Sequence, residues 1–367
     1  MAEALIVGAG PAGLSAALAL SARGMAVTIF EQHPAPPPRV CGAFINPEGT
    51  RHLATLGVLE GGTSAGAVAV TTASVVAPHG RTVEVSLDRG GVPGLAVTRP
   101  VLEQVLADNL ARRGGVIAWG TRITGAARDD AGWRVDIRTG AAMSQHRAPL
   151  LIAADGRFSS LSGRQPTRGR QGWFGWNATW AGVEKPPGHL SLHFYRTGYV
   201  GVLIFGDGLA NVCGLTRRDL GESTSWEAVC DRALSDQAAL ARLLRNAERI
   251  SPFRGVGPLP FSAAMWSADG PLLAGDAAAV GDPYMGEGIS RALGTGPALL
   301  ESLRDLSEIS DATIRPLYAR VWRRRYHPRL RLGTAARTVL ARPRMMAAAL
   351  DVAPPALLRA LAAVAHR

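Results

Sequence analysis

The chain has 367 residues, of which 47% are hydrophobic and 19% are charged, which is typical of a folded protein long enough for two domains and excludes a disordered chain. Its cysteines, Cys41, Cys213 and Cys230, are too widely spaced to predict a disulfide framework or a metal site. The net charge of +11 lies almost wholly between Asp311 and Arg367, which hold twelve arginines and two acids.

The first thirty-one residues predict a βαβ unit. An apolar strand (Ala4–Val7) leads into a glycine-rich turn, an alanine- and leucine-rich helix follows, and a second strand ends at Glu31. Such a turn lets the backbone approach a pyrophosphate, the helix N-terminus offers free N–H groups to it, and a terminal acid accepts from ribose hydroxyls. The residues predicted to bind a dinucleotide here are Gly8, Gly10, Pro11, Ala12, Gly13 and Glu31.

This apolar start predicts neither a membrane span nor a secretory signal. The run from Ala4 to Leu20 is broken by three glycines and a proline, and an acid, Glu3, precedes it where a signal peptide carries basic residues. We therefore expect a cytoplasmic protein.

Strand-rich blocks alternate with single helices along the middle of the chain. Helices are predicted from Pro47 to Leu56 and from Arg99 to Gly114, and alternating apolar residues predict strands over 65–97 and 172–218. A hairpin is predicted from Val116 to Arg138.

Two later strands end in carboxylates ahead of glycines. Leu150–Ala154 ends at Asp155-Gly156, and Pro271–Ala274 ends at Gly275-Asp276, after which a glycine-rich turn (281–288) precedes a helix. Such endings mark the carboxyl edge of a parallel sheet, where cofactors bind.

These three motifs, in this order, resemble those of the FAD-dependent group that contains the class A aromatic hydroxylases and the geranylgeranyl reductases. The resemblance covers residues 1 to about 305. It implies tightly held FAD and, because no second glycine fingerprint occurs, NADPH or NADH as a transient reductant. Besides the first motif, the residues it assigns to the cofactor are Arg39, Arg99, Asp155, Gly156, Gly275, Asp276, Pro283, Gly286, Gly288 and Ile289.

The resemblance also implies an α/β fold in which a Rossmann-type FAD-binding domain carries an inserted, mostly β substrate domain. We expect the FAD-binding domain to comprise residues 1–64, 98–165 and 256–305, and the substrate domain residues 65–97 and 166–255. Residues 306–367 are expected to form C-terminal helices.

The type of reaction stays open between two members of the group. Glu287 and the segment Arg39-Val40-Cys41-Gly42 are similar to the reductases, but only Tyr199 survives of the reductases' Tyr-x-Trp-x-Phe-Pro substrate motif. Tailoring monooxygenases of secondary metabolism share such mixed features, so hydroxylation of an aromatic or lipophilic metabolite ranks slightly ahead of double-bond reduction. A non-catalytic binding scaffold of the same fold is a further alternative, which the retained Glu31 and Asp276 disfavour.

Few polar residues are candidates for the chemistry. Cys41, Tyr199 and His193 are the catalytic candidates, and Tyr195 and Tyr284 are further groups expected to face the substrate pocket.

The arginine-rich C-terminal region has two interpretations. A solvated helical face is the ordinary one, and contact with an acidic partner, nucleic acid or an anionic membrane surface is the other. The expected partner is a lipophilic or aromatic small molecule. Of the contacts open to the C-terminal region, peripheral membrane contact is kept and no nucleic acid is expected.

Overall fold

The computed structural model describes residues 3–340, except 89, 164–170, 207, 220–223, 262–268 and 307–308. In chain order the strands are β1 (Glu3–Val7), β2 (Ala26–Glu31), β3 (Phe44–Ile45), β4 (Val68–Val70), β5 (Thr72–Val76), β6 (Thr82–Ser86), β7 (Gly94–Ala96), β8 (Val116–Trp119), β9 (Thr121–Asp129), β10 (Gly132–Thr139), β11 (Ala142–Ala148), β12 (Leu150–Ala153), β13 (Gln171–Ala181), β14 (Leu190–Tyr195), β15 (Gly198–Ile204), β16 (Ala210–Asp219), β17 (Glu248–Arg249), β18 (Arg254–Val256) and β19 (Leu272–Leu273). The α-helices are α1 (Pro11–Ser21), α2 (Pro47–Thr55), α3 (Leu59–Ser64), α4 (Arg99–Arg112), α5 (Trp226–Asp236), α6 (Ala238–Leu243), α7 (Gly288–Leu293), α8 (Thr295–Ser302) and α9 (Asp311–Leu340).

A five-stranded parallel sheet carries the N-terminal unit. Its order is β19-β12-β1-β2-β8, so the first strand is central and the two acid-ended strands lie together on one side. Helix α1 packs between this sheet and helices α4 and α8, and Ser15 joins it to its neighbours by donating to the carbonyl of Leu293 and accepting from Gly296 N–H. The predicted Rossmann-type α/β fold is confirmed.

One predicted hairpin is wrong in its first strand. Residues Val116–Trp119 are the parallel edge strand β8, beside β2, and the turn at Gly120 separates them from the antiparallel sheet β11-β10-β9. A four-residue strand bounded by a glycine carries no pattern that distinguishes parallel from antiparallel pairing.

A second, larger sheet covers the first. Its order is β17-β13-β16-β15-β14-β5-β6, with β18 also paired to β13. Strands β5 and β6 come from the 65–97 block and the others from residues 171–256, whereas β4 and β7 pair with β3 in a small separate sheet. Strands from both strand-rich blocks therefore share one sheet. The boundaries expected for the two domains stay a prediction.

Helix α9 is 30 residues long and lies against the parallel sheet. Its most deeply buried side chains are Ile314, Tyr318, Trp322 and Tyr326, at the four-residue spacing of one helix face, and Ala319 and Val321 beside them are also buried. Tyr318 donates a hydrogen bond to the carbonyl of Leu273 in β19. The rest of the predicted C-terminal helical region, residues 341–367, lies outside the described residues. Within the described part of the chain, no helix has the length and apolar character needed to span a membrane.

Candidate functional site

A cavity of about 1490 Å³ opens at the carboxyl ends of β1, β2 and β12. The parallel sheet forms one wall, the eight-stranded sheet faces it, and the inner side of α9 closes a third side through Leu332, Ala335 and Ala336. Pockets for one small ligand measure about 300–1,000 Å³. The cavity therefore has room for a dinucleotide and a substrate together.

The glycine turn after β1 forms the floor at one end of the cavity. Gly8 adopts φ +98°, and a Cβ there would lie 2.6 Å from the carbonyl oxygen of Ala154. A Cβ at Gly13 would lie 1.9 Å from the carbonyl oxygen of Gly8, so helix α1 packs directly on the turn. At Gly10 a Cβ would meet only the Arg99 guanidinium, at 3.7 Å, and would point into the space left for a ligand. Pro11 and Ala12 line the same end.

The carboxylate of Glu31 is held at the end of β2. Its Oε2 accepts from the N–H of Ala9 at 2.9 Å, and its Oε1 accepts from the N–H of His33 at 2.9 Å. Burial by itself raises the pKa of Glu31, but the hydrogen bonds from His33 and Ala9 outweigh it, so the net pKa is lowered. Glu31 therefore lies ionised at the edge of the cavity, where an acceptor for ribose hydroxyls is needed.

Arg99 reaches from the start of α4 toward the glycine turn. Its guanidinium donates to Glu103, one helical turn later, and both side chains are largely buried. Burial raises the pKa of Glu103, which Arg99 and Arg39 counteract. Arg39 also lines the cavity. Glu103 was missed in the sequence, although its i,i+4 spacing from Arg99 could have indicated it.

The two acid-ended strands bring Asp155 and Asp276 to the same cavity. Asp155 Oδ2 accepts from the N–H of Ser160 at 3.2 Å, and Gly156 follows at φ +85°. Asp276 forms an ion pair with the buried Arg291, at 2.9 Å. We did not predict Arg291, whose position in the last turn of the short helix α7 is its only sequence signal.

The turn before α7 completes the cofactor end. Pro283, Gly286, Gly288 and Ile289 line the cavity, and Gly286 adopts the left-handed φ of +64° that ends the preceding 3₁₀ turn. Gly275 does not line it. A Cβ there would lie 2.7 Å from the side chain of Ala12, so this glycine lets two backbone turns approach each other.

The eight-stranded sheet turns an almost wholly apolar face to the cavity. Its cavity-facing residues are Ala73 and Val75 of β5, Val85 of β6, Gly175 and Trp176 of β13, Leu190, Leu192 and Phe194 of β14, Tyr199, Gly201 and Leu203 of β15, Cys213, Gly214 and Leu215 of β16, and Val256 of β18. Among the described residues of this sheet, none that lines the cavity is a His, Asp, Glu, Lys or Arg.

The structure divides the catalytic candidates between those that line the cavity and those that face away from it. Tyr199 and Cys41 line the cavity, and so does Tyr284. His193 and Tyr195 do not: they alternate with Leu192 and Phe194 on β14 and point to the other face, where His193 contacts Ser191. The expectation that these two face the pocket is corrected.

Helix α9 is held against the cavity by polar contacts. Tyr284 donates to the carbonyl of Gly333 at 2.6 Å, and Arg337 forms an ion pair with Asp282 at 3.3 Å. Arg329 binds Glu48 of α2, at 2.5 Å, and approaches Glu287 at 3.9 Å. Burial raises the pKa of Glu287 to about 7, although Arg329 and Arg291 oppose that rise.

The residues at this end fit a flavin dinucleotide. Gly10 leaves space at a helix N-terminus for a pyrophosphate, Glu31 supplies an ionised acceptor, and buried Arg99 supplies a positive charge beside that space. Asp155 Oδ1 is buried and has no hydrogen-bond partner among the described residues. An unpartnered buried oxygen indicates a missing donor, which a bound ligand would provide.

Comparison with known proteins agrees with this geometry. The family described as FAD binding domain matches residues 1–303. Digeranylgeranylglycerophospholipid reductase from Methanoculleus marisnigri is 26% identical over 306 residues, which cover 80% of this chain and 74% of the relative. Digeranylgeranylglycerophospholipid reductase 2 from Methanopyrus kandleri is 28% identical over 329 residues, which cover 85% and 79%.

Two solved structures share the fold. A geranylgeranyl bacteriochlorophyll reductase-like protein from Thermoplasma acidophilum superposes with a TM-score of 0.78 at 20% identity, over 95% of this chain and 90% of that one. The flavin-dependent brominase Bmp2 superposes with a TM-score of 0.81 at 18% identity, over 99% and 94%. The chain belongs to the FAD binding domain family, within the FAD-dependent oxidoreductase superfamily.

Proposed function

We propose that this FAD-dependent oxidoreductase uses NAD(P)H to reduce carbon–carbon double bonds of a lipophilic, isoprenoid-type substrate. The observation that carries the proposal is the face of the eight-stranded sheet toward the cavity, which is built almost wholly from apolar side chains, both aliphatic and aromatic. Burial of such a wall by an unbranched or methyl-branched hydrocarbon gains about 25 cal/mol for each Å² removed from water. A charged or strongly polar substrate would lose its hydration there without compensation.

The curated relatives support reduction over hydroxylation. Both relatives named above are called digeranylgeranylglycerophospholipid reductases. Cys41 belongs to the segment that resembles the reductases, and it lies where the cofactor end and the apolar wall meet: the carbonyl of Cys41 accepts from the Asn211 amide of β16 at 2.9 Å.

The chain's own residues would position the substrate and hold protons for the reaction. When bound, FAD supplies the hydride that it has taken from NAD(P)H. Saturating a double bond also needs a proton at the neighbouring carbon. Burial, assisted by the nearby Cys213, raises the pKa of Tyr199 well above its ordinary value, so its hydroxyl keeps its proton. We assign to Cys41 the role of donating this proton to the substrate carbon. Tyr199 remains protonated and can donate a hydrogen bond in the same cavity.

Hydroxylation, ranked first on sequence grounds, is the second candidate. Gly201, Leu203 and Ile204 stand where the reductase motif has Trp, Phe and Pro, and Gly201 and Leu203 line the cavity. This wall therefore differs from that of a reductase that keeps the motif. Deprotonation of a phenol, which assists hydroxylation, would need a base, and His193 points away from the cavity.

Oxygen dependence separates the two reactions. The FAD-loaded protein is supplied with NADPH or NADH and either a digeranylgeranyl phospholipid or a panel of phenols, with and without labelled O₂. We expect a product with two added hydrogens from the polyene without oxygen. Labelled oxygen in the product from either substrate class, with no anaerobic product, would establish hydroxylation instead.

Two single cysteine variants test the role of Cys41. We expect Cys41→Ser to slow product formation far more than it slows reduction of the flavin by NAD(P)H. Cys230→Ser is the matched control, because Cys230 is buried in α5 and does not line the cavity. Equal product formation by the two variants would remove Cys41 from the reaction.

A further inference from the structure

The arginines of α9 divide between two faces. Toward the protein, Arg315, Arg325, Arg329 and Arg337 each form an ion pair with a carboxylate. On the outside, Arg320, Arg323, Arg324 and Arg331 are exposed. We call these four residues the basic face.

Most of the charge on the basic face is uncompensated. No acid among the described residues forms an ion pair with Arg320, Arg323 or Arg331. Arg324 shares Glu301 with Arg325, so two arginines are opposed by a single carboxylate. Burial and then the charges of Arg323 and Arg331 lower the pKa of His327, which lies between them on the helix. The face is therefore a continuous region of positive potential.

The basic face runs into the rim of the cavity. Arg331 and Ala335 are four residues apart on α9, so they lie on the same side of the helix. Ala335 is exposed and also lines the cavity, together with its neighbours Leu332 and Ala336. The same helix thus presents positive charge outside and a small, apolar rim where the cavity opens.

We propose that the basic face of α9 binds an anionic membrane surface and that the cavity rim beside it receives the substrate from that surface. Charge complementarity selects the partner, since arginines near an anionic leaflet attract it electrostatically. The preference for a membrane over nucleic acid rests on the proposed lipophilic substrate, because the rim leads to an apolar wall rather than to a polar groove.

Vesicle flotation tests the binding without any turnover. The full-length, FAD-loaded protein is mixed at physiological salt with vesicles of phosphatidylcholine alone or of phosphatidylcholine with phosphatidylglycerol. We expect flotation only with the anionic vesicles, and loss of it at high salt. Each basic residue at such a surface strengthens partitioning about fivefold, so the triple variant Arg320→Gln/Arg323→Gln/Arg331→Gln should bind about 100-fold more weakly.

A control of equal charge identifies the surface. Arg112, Arg138 and Arg245 are exposed arginines outside α9, and their triple change to Gln lowers the net charge by the same amount. This control should keep its flotation. Equal loss in both triple variants, or no flotation of the parent, would overturn the proposal, as would binding of duplex DNA in place of vesicles.

Turnover separates this proposal from the proposed function. With substrate in detergent micelles the α9 variant should match the parent, whereas with substrate in anionic vesicles its KM should rise at unchanged kcat. Flotation without reduction of any polyene would refute the proposed reaction alone. Reduction from micelles without flotation of the parent would refute the membrane contact alone.

Discussion

The ion pair between Asp276 and Arg291 gives Asp276→Ala two separable effects. The pair spans 2.9 Å, and Arg291 is only 4% exposed while Asp276 is 25% exposed. At an effective dielectric of about 20 the attraction is about 6 kcal/mol. Removing one partner of a fully buried pair costs about 3–5 kcal/mol, and solvent reduces this at Asp276, so we expect the apo-protein to lose about 2–3 kcal/mol of stability.

FAD binding should weaken independently of that loss. If Asp276 also accepts from a ribityl hydroxyl, its removal costs about 2 kcal/mol of binding, or roughly 30-fold in affinity. Calorimetric titration of the apo-protein measures the affinity, and denaturation of the apo-protein measures the stability.

A second background separates the effect on stability from the effect on FAD binding. Asp276 also lies 3.7 Å from the Nε of Arg157, so in Arg291→Met the change Asp276→Ala should lower the stability less than it does in the parent, yet it should still weaken FAD binding. Asp129→Ala is the control, because Asp129 pairs with Arg147 in an exposed hairpin and does not line the cavity, and it should change neither property. Unchanged FAD affinity of Asp276→Ala in both backgrounds would refute the cofactor assignment.

Two further predictions follow from the cofactor end of the cavity. Gly10→Val should weaken FAD binding more than Glu31→Ala does, because the added side chain enters the space for the pyrophosphate whereas Glu31 supplies hydrogen bonds at one ribose. Calorimetric titration of both apo-proteins gives the order of the two affinities. If Gly10→Val binds FAD as tightly as the parent does, the assignment of the glycine turn to the pyrophosphate is wrong. Burial raises the pKa of Glu287 to about 7 from an ordinary value of 4.5, so its contribution to stability is complete below about pH 4.5 and is lost as the pH rises through 7. Between pH 4.5 and pH 7 the thermal midpoint of Glu287→Gln should therefore fall less with rising pH than that of the parent. Glu227→Gln, which changes an exposed acid, is the control. If Glu287→Gln shows the same dependence of thermal midpoint on pH as the parent, Glu287 is not the cause of the fall.

The cofactor end was predictable because local sequence determines it. The turn from Gly8 to Gly13 needs residues without side chains for its backbone geometry, and its neighbours in space are its neighbours in the chain. The acids Glu31, Asp155 and Asp276 could be placed together because parallel strands bring their carboxyl ends to one edge.

The substrate end was less predictable because its residues are distant in sequence. Which of His193 and Phe194 faces the cavity depends on the register and tilt of a sheet in which β14 pairs with β5, from more than a hundred residues earlier. The sequence did not predict that Leu332, Ala335 and Ala336 line the cavity, because apolar residues of a helix carry no functional group that indicates a binding site. Arg291 likewise becomes a partner of Asp276 only through the packing of α7 on the 3₁₀ turn Gly275–Ala277.

The interleaving of the two large sheets has a consequence for synthesis of the chain. The parallel sheet begins with residues 3–7 and is completed only by Leu272–Leu273, while the strands of the facing sheet are added in between. Helix α9 then closes the cavity from residues 311 onward. Since translation adds about 5–20 residues per second, a nascent chain cannot assemble the dinucleotide cradle until the segment from Leu272 to Ala292 has left the ribosome. Cofactor capture therefore waits for this late segment, and neither sheet is formed by one contiguous piece of the chain.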